Sequence, residues 1–336
     1  MVQSTLEHNG SPFITVIIPA YNVSQYIAET LDSVYSQTFQ DFEVSVINDG
    51  SADTPALERT LERYDGRLLY LQQKNAGPSA ARNNGIRHAR GEFLAFLDGD
   101  DAWMKDYLQS QVEVLRSDSS LSLVWCDSRI PPGSARAGHT LMETSPASGE
   151  VNLDALIEER CTVFTSTTVV NREAVLRVGC FDESLRRCED YDLWLRLASA
   201  GYKLRYSRSV LGLRRICTDG LSHNASAMLR TQILVCEKLG RTAALHPHTR
   251  ELIRERNNVR EHLLQIAVGK ELLRQRELTT ALKAFQRASA IKNTRKLKAI
   301  TAVLKCLTLP QRALRHFGRV GHTKSRATSL HNMGQR

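Results

Sequence analysis

Residues 93–104, FLAFLDGDDAWM, run an apolar stretch straight into Asp98, Asp100 and Asp101. Phe93 to Leu97 have the composition of a strand buried inside a sheet. Like charges this close repel, and each resists leaving water. Exposure, a capped helix (here one over 105–117) or a bound cation must offset that cost. Clustered carboxylates are the oxygen ligands that hard divalent cations take. A second acidic pair, Glu189-Asp190, opens EDYDLWLRLASAG, where two acids suit the first turn of a helix. Asn48-Asp49-Gly50-Ser51 and Lys74-Asn75-Ala76-Gly77 are turn sequences that follow apolar runs, and Arg82 stands just beyond the second, in SAARNNGI.

The elements that must position these residues alternate. FITVII (13–18), FEVSVI (42–47), LLYL (68–71), FLAFL (93–97) and LSLVWC (121–126) read as strands. Between them, Ile27, Leu31 and Val34 share one helical face, Leu57, Leu61 and Tyr64 another, and a helix is expected from about Ser79 to His88. Strands alternating with helices point to an α/β fold with a mostly parallel sheet, whose ligand crevice lies beyond the carboxyl ends of the strands. The turns after the first four strands are all polar: Pro19-Ala20-Tyr21-Asn22, Asn48 to Ser51, Lys74 to Gly77, and Asp98 to Asp101. Neither a G-x-G-x-x-G turn nor a G-x-x-x-x-G-K-[ST] loop occurs. Residues 128–150 read as a loop over the crevice, followed by a short helix (about 153–159), the strand TSTTVV and a helix from near Arg172. From about residue 225 the pattern is purely helical, and Gly269, Ala281, Phe285 and Ala288 match the small and aromatic positions of one tetratricopeptide-like hairpin.

Composition bounds the answer further. The chain has 336 residues, 42% hydrophobic and 24% charged, with room for about two domains. No apolar run approaches the roughly 20 residues that span a bilayer. The start, MVQSTLEHNGSPF, lacks a basic segment leading into an apolar one, so no secretory leader is expected. Seven scattered cysteines without a C-x-x-C pair fit reduced thiols in a cytosolic compartment. The net charge of +9 is unevenly spread: residues 241–336 hold 21 Lys and Arg against 5 Asp and Glu, which leaves residues 1–240 at −7.

VIIPAYNVSQYIAETLDSVYSQTFQDFEVSVINDGSAD, NAGPSAARNNGI, FLAFLDGDD and EDYDLWLRL occur in this order, and with them residues 12–222 resemble a glycosyltransferase family 2 enzyme. The resemblance implies a GT-A fold, Rossmann-like with a mostly parallel sheet flanked by helices, over 12–224. A leader (1–11) precedes it, and a basic α-helical appendage (225–336) follows. It implies an inverting, metal-dependent transfer of a sugar from a nucleotide-sugar, UDP-linked donors being the family's commonest, to an acceptor hydroxyl. Asp98-Gly99-Asp100 resembles the family's D-x-D: Asp100 as ligand of Mg²⁺ or Mn²⁺, Asp98 near the ribose or metal, and Gly99 lining the nucleotide-sugar. Asp49 resembles the residue that accepts a hydrogen bond from the base, Pro19, Tyr21 and Asn22 the wall against which the base packs, and Arg82 the arginine facing the nucleotide. Asp190 resembles the general base. After SRSVLGL the family often carries an arginine and, two residues on, a histidine; here Arg215-Ile216-Cys217 puts Cys217 at that place, with His223 six residues later as a substitute.

The expected acceptor is a growing cell-surface glycan or glycolipid, on a lipid carrier at the cytoplasmic membrane face. The rival reading is a catalytically silent sugar-nucleotide-binding or scaffold protein that recruits partners through its helical tail; the intact D-x-D and E-D pairs argue against it. Nucleic-acid binding has only the basic tail in its favour and no recognisable motif. In that tail Leu297, Ile300, Leu304 and Leu307 share a helical face, with Lys292, Arg295, Lys298 and Lys305 mostly on another. Such a helix either docks peripherally on an anionic membrane surface or packs its stripe on the preceding helices.

Overall fold

The computed structural model describes residues 10–131, 137–144, 150–216, 224–242 and 245–308. Its frame is a nine-stranded sheet in the order β3-β2-β1-β4-β8-β6-β9-β5. Four strands, β1 (Ile14–Ala20), β2 (Phe42–Asn48), β3 (Leu69–Gln72) and β4 (Phe93–Phe96), form the expected parallel run, with β1 between β2 and β4. Both faces of β1 are covered, which is why its sequence is almost continuously apolar. Ile14, Val16 and Ile18 point into one core with α1 (Ile27–Tyr35), α2 (Thr54–Leu61) and α4 (Tyr107–Ser117). Ile17 points into the other, beneath α3 (Pro78–His88).

Beyond β4 the sheet departs from the simple alternating pattern. The strand expected at TSTTVV is split: Thr165–Thr167 form a 3₁₀ turn and only Thr168–Asn171 (β8) joins the sheet, antiparallel to both β4 and β6 (Leu121–Arg129). β9 (Lys203–Leu213) runs parallel to β6, while the short β5 (Ala102–Trp103) and β7 (Glu150–Val151) pair antiparallel with it. The parallel N-terminal half followed by one reversed strand places the ends of β4 and β6 on the same edge. Short helices α5 (Leu141–Thr144), α6 (Leu153–Ile157) and α7 (Arg172–Arg177) lead to α8 (Glu189–Ser199), whose Leu193, Trp194 and Leu197 are buried in the core beneath α3.

The helical region comprises α9 (Ala225–Gly240), α10 (Pro247–Arg274), α11 (Leu278–Ile291) and α12 (Arg295–Thr308). The chain divides into two compact units, Met1–Arg260 and Glu261–Arg336, with α9 and the first part of α10 in the first. Val235, Cys236 and Leu239 of α9 belong to the same core cluster as Trp194. In the second unit Gly269 is where it is because of Phe285: a Cβ there would lie 2.7 Å from the ring. Ala281, Phe285 and Ala288 are buried together with Leu297 and Leu304 of α12. Most of the stripe on α12 is therefore packed, Ile300 included, leaving Val303 and Leu307 at 59% and 62% exposure. Among the described residues no helix is long and apolar enough to cross a membrane.

Candidate active site

The turn after β1 is tied to the turn after β2. Asn22, in the left-handed region at φ 55°, donates its N–H to Ser51 Oγ (3.1 Å) and accepts the N–H of Ala52 on Oδ1 (2.9 Å). Pro19 is half-buried beside it and Tyr21 is 51% exposed, an aromatic surface facing solvent. Asp49 is only 3% exposed, and its carboxylate accepts from Gln73 Nε2 and from the N–H groups of Ala76 and Gly77, all at 2.8–2.9 Å. Of roughly four lone-pair sites on a carboxylate, three thus hold the 73–77 loop against β2, which leaves about one for a ligand. Gly50 is required here twice over: φ is 66°, and a Cβ would come within 2.6 Å of the Asn75 nitrogen.

The acid cluster after β4 is solved residue by residue. Asp101 is buried, yet Ser166 Oγ donates to Oδ2 (2.6 Å) and the Arg215 N–H to Oδ1 (2.9 Å). Burial, then the charges of Asp100 and Asp98, push its pKa well above the usual carboxylate value. Thr30 Oγ1 donates to the carbonyls of Asp101 and Gly99 (2.7 and 3.0 Å), fixing the loop to α1. Gly99 is crowded by Val23 and the Pro19 carbonyl, 2.9 and 3.1 Å from a notional Cβ. The capping alternative does not apply, because α4 starts at Tyr107 behind Asp106. Asp98 and Asp100 stay half-buried, and the Arg215 guanidinium donates to the Asp100 carbonyl.

Arg82 is no surface charge. It is 4% exposed, with Nη2 on Asp98 Oδ1 (2.7 Å) and Nη1 on Glu189 Oε1 (2.8 Å). Burial alone would lower its pKa, but the two carboxylates outweigh that and raise it. Its Nε has no partner among the described residues. Glu189 is itself buried, and desolvation followed by the charge of Asp190 raises its pKa despite Arg82. Asp190, half-buried at the start of α8, accepts from Thr165 Oγ1 on Oδ2 (2.8 Å) and from the Tyr191 N–H on Oδ1 (2.7 Å). The structure thus gathers Asp98, Arg82, Glu189 and Asp190 from three distant segments. It also adds Thr165 and Ser166, which sequence reasoning passed over inside a presumed strand. The one local signal was four consecutive hydroxyl residues, 165–168, where a buried strand would be apolar. Cys217 and His223 lie outside the described residues.

The profile of the family described as Glycosyl transferase family 2 matches residues 15–188. The chain belongs to that family. The amylovoran biosynthesis glycosyltransferase AmsB of Erwinia amylovora is 35% identical over 200 residues, 56% of this chain and 65% of that protein. Against five glycosyltransferases from Rickettsia the chain spans 26% to 60% of their length. Two solved structures share the GT-A fold. S. aureus TarS 1–349 in complex with UDP-GlcNAc matches with TM-score 0.62 at 18% identity, over 85% of this chain and 83% of that one. Mannosyltransferase PcManGT from Pyrobaculum calidifontis in complex with GDP-Man and Mn²⁺ gives 0.60 at 21%, over 92% and 84%.

For a family 2 glycosyltransferase the donor set suits a cation shared with its substrate. Among the described residues no three His, Cys, Asp or Glu side chains form a metal cage. Mg²⁺-type ions in nucleotide sites take one or two carboxylates and complete their shell from phosphates and water. Asp98 and Asp100 supply such oxygens: Asp98 is a third exposed, and Arg82 engages its Oδ1.

Proposed function

We propose that this family 2 glycosyltransferase moves a sugar, with inversion, from a UDP-linked donor to an acceptor hydroxyl of a cell-surface polysaccharide or glycolipid. The observation that carries the reading is the Arg82 guanidinium, which joins Asp98 of the D-x-D loop to Glu189, the residue before Asp190. One buried cation thereby holds the diphosphate side of the crevice next to the residue suited to deprotonate the acceptor.

In this mechanism Asp190 accepts the acceptor hydroxyl's proton as that oxygen attacks the anomeric carbon, on the face opposite the leaving diphosphate. Thr165 and the Tyr191 N–H aim its carboxylate. Pro19, Tyr21 and Asn22 wall the base, Asp49 offers it an acceptor oxygen, and Gly99 gives the sugar-phosphate close approach to the backbone. Asp98 and Asp100 would hold Mg²⁺ or Mn²⁺, which supplies charge neutralisation for the departing diphosphate. The name of AmsB supports polysaccharide synthesis, and the nucleotide-sugar complexes of TarS and PcManGT support the donor class. The basic C-terminal segment supports a peripheral position on the anionic cytoplasmic membrane face, where a lipid-linked acceptor would lie.

A panel of nucleotide-sugars, assayed for free nucleotide release with Mn²⁺ and with chelator, tests the reading. Metal-dependent release from a UDP-sugar, and loss of Mn²⁺-enhanced UDP binding in Asp100→Asn with the fold retained, are expected. Unchanged metal enhancement in that variant, or no release from any donor, overturns it.

A further inference from the structure

We propose that Arg260 is a positioning residue for the Asp190-bearing turn of α8, acting through Tyr191; the proposal rests on Asp190 being the base. Arg260, on α10, is 1% exposed, and all three guanidinium nitrogens are in use. Nε donates to Glu159 Oε1 (2.9 Å), Nη1 to Asn257 Oδ1 (3.0 Å) and Cys236 Sγ (3.3 Å), and Nη2 to the Ile157 carbonyl (2.9 Å) and Tyr191 OH (3.1 Å). One planar fork therefore fixes the exit of α6, the side of α9 and the first turn of α8 relative to one another. A lysine, a single point charge, cannot reproduce five directed contacts.

The link to the chemistry runs through both ends of Tyr191. Its hydroxyl receives Arg260 and donates to the Leu156 carbonyl (3.2 Å), and its ring lies 5.9 Å from the guanidinium carbon. Its N–H donates to Asp190 Oδ1 at 2.7 Å. The direction of the Asp190 carboxylate therefore depends on where Tyr191 is held. The turn also needs holding: Cys188, immediately before the acidic pair, is a non-glycine residue at φ 55°. Such a backbone persists only where its surroundings over-determine it. The Cys188 thiol, 3.8 Å from the Met228 carbonyl of α9, is part of that constraint. So α9 and the start of α10, a helical stretch outside the four sequence motifs, grip the catalytic turn.

The test uses the full chain with Tyr191→Phe, Arg260→Lys and the double variant. Readouts are the melting midpoint, UDP affinity, turnover of the nucleotide-sugar the wild type accepts as a function of pH, and hydrogen exchange at the Tyr191 and Asp192 amides. Tyr191→Phe removes the hydroxyl's contacts to Arg260, the Leu156 carbonyl and Cys236 and leaves the ring in place. It should lower the melting midpoint only modestly, keep UDP affinity, lose about 10- to 100-fold in kcat, the scale of a small misplacement of a reacting group, and exchange faster at both amides. Arg260→Lys, which loses several buried contacts, should lower the melting midpoint as well as kcat while the folded protein keeps its UDP affinity, and the double variant should be no slower than Arg260→Lys alone. Wild-type kcat, pH profile and exchange in Tyr191→Phe would overturn the proposal, as would UDP affinity falling in step with kcat. Full turnover in Asp190→Asn would instead remove the base assignment, and the exchange readout would still decide whether Arg260 holds the turn.

Discussion

Beside Asp100, four further carboxylates crowd this site, and their neighbours decide how each is held. Asp101 is buried with its two oxygens hydrogen-bonded by Ser166 and a backbone N–H, Glu189 is clamped by Arg82, and Asp98 shares that clamp. Asp190 takes its hydrogen bonds from neutral donors, the Thr165 hydroxyl and the Tyr191 N–H, and in the proposed mechanism it is the base. Asp190→Asn should therefore keep donor affinity and lose about 10²- to 10⁴-fold in single-turnover transfer, the usual contribution of a positioned base. Collapse of donor binding instead would make it a nucleotide contact. Asp182 illustrates the opposite case away from the crevice. Burial acts to raise its pKa, but Lys238 and the Ser184 hydroxyl and N–H outweigh it and bring it down to about 2. A carboxyl depressed on folding stabilises above its unfolded value, near 4, and loses that contribution as pH falls through the folded one. The stability gap between wild type and Asp182→Asn should then be about 1 kcal/mol at pH 6, the pair being partly exposed and screened. It should close between pH 4 and pH 2 in urea titrations. A gap that does not change with pH would show that Lys238 contributes nothing through Asp182.

At the scale of elements, α3 matters most, because it carries Arg82 across the sheet to two acids. It lies close on β1 and β2: a Cβ on Gly85 would be 2.6 Å from Ile17 Cγ2 and 3.0 Å from Ile47 Cδ1. Alanine in place of a helical glycine normally adds up to about 1 kcal/mol of stability. Here the methyl must push the helix off the sheet, an overpacking cost of about 1–3 kcal/mol. Gly85→Ala should thus be net destabilising and, because Arg82 lies one turn earlier on α3, should weaken nucleotide binding more than a comparable core defect elsewhere. Calorimetric UDP titration beside a melting curve checks both. A variant more stable than wild type would show that the helix sits with slack. The 3₁₀ turn Thr165–Thr167 is the other decisive element, since it presents Thr165 to Asp190 and Ser166 to Asp101 from adjacent positions.

Across the whole molecule the charge is segregated, with +16 on residues 241–336 and −7 before them. Leu297 and Leu304 are spent on packing against α11, so any membrane attraction of this region is electrostatic rather than by insertion of that stripe. Lys292, Arg295, Lys296, Lys298 and Lys305 are all exposed. Each can add about 1 kcal/mol near an anionic surface, and that attraction is screened within a Debye length of about 8 Å at physiological salt. The full chain should sediment with vesicles containing anionic phospholipid at low salt and release as salt rises. Changing these five residues to Gln should weaken sedimentation and shift release to lower salt while leaving the melting curve intact, a cleaner comparison than ending the chain at residue 290, which would strip α12 from the core of its unit. No sedimentation of the unaltered chain at low salt removes the membrane reading.

The parallel run β1–β4, the helices between them, α8 and the hairpin around Gly269 and Phe285 were legible in the sequence because each is written in local periodicity or in a short turn motif. The same holds for which loops carry the chemistry: polar turns after apolar strands must lie at the sheet's carboxyl edge. What the sequence could not decide is how the acids there are partnered. Arg82 and Glu189 are 107 positions apart, and Arg215 meets Asp101 across 114. A pairing at that separation leaves no periodic trace and exists only once the sheet is assembled. The reversal of β8 and the 3₁₀ turn before it are likewise tertiary decisions: Thr165 to Thr168 have the β-branched composition of a strand, and only hydrogen-bonding demand from Asp190, Asp101 and the 126 and 164 carbonyls draws their hydroxyls into the interior. Composition named the acids, and the folded chain decided which groups partner each of them.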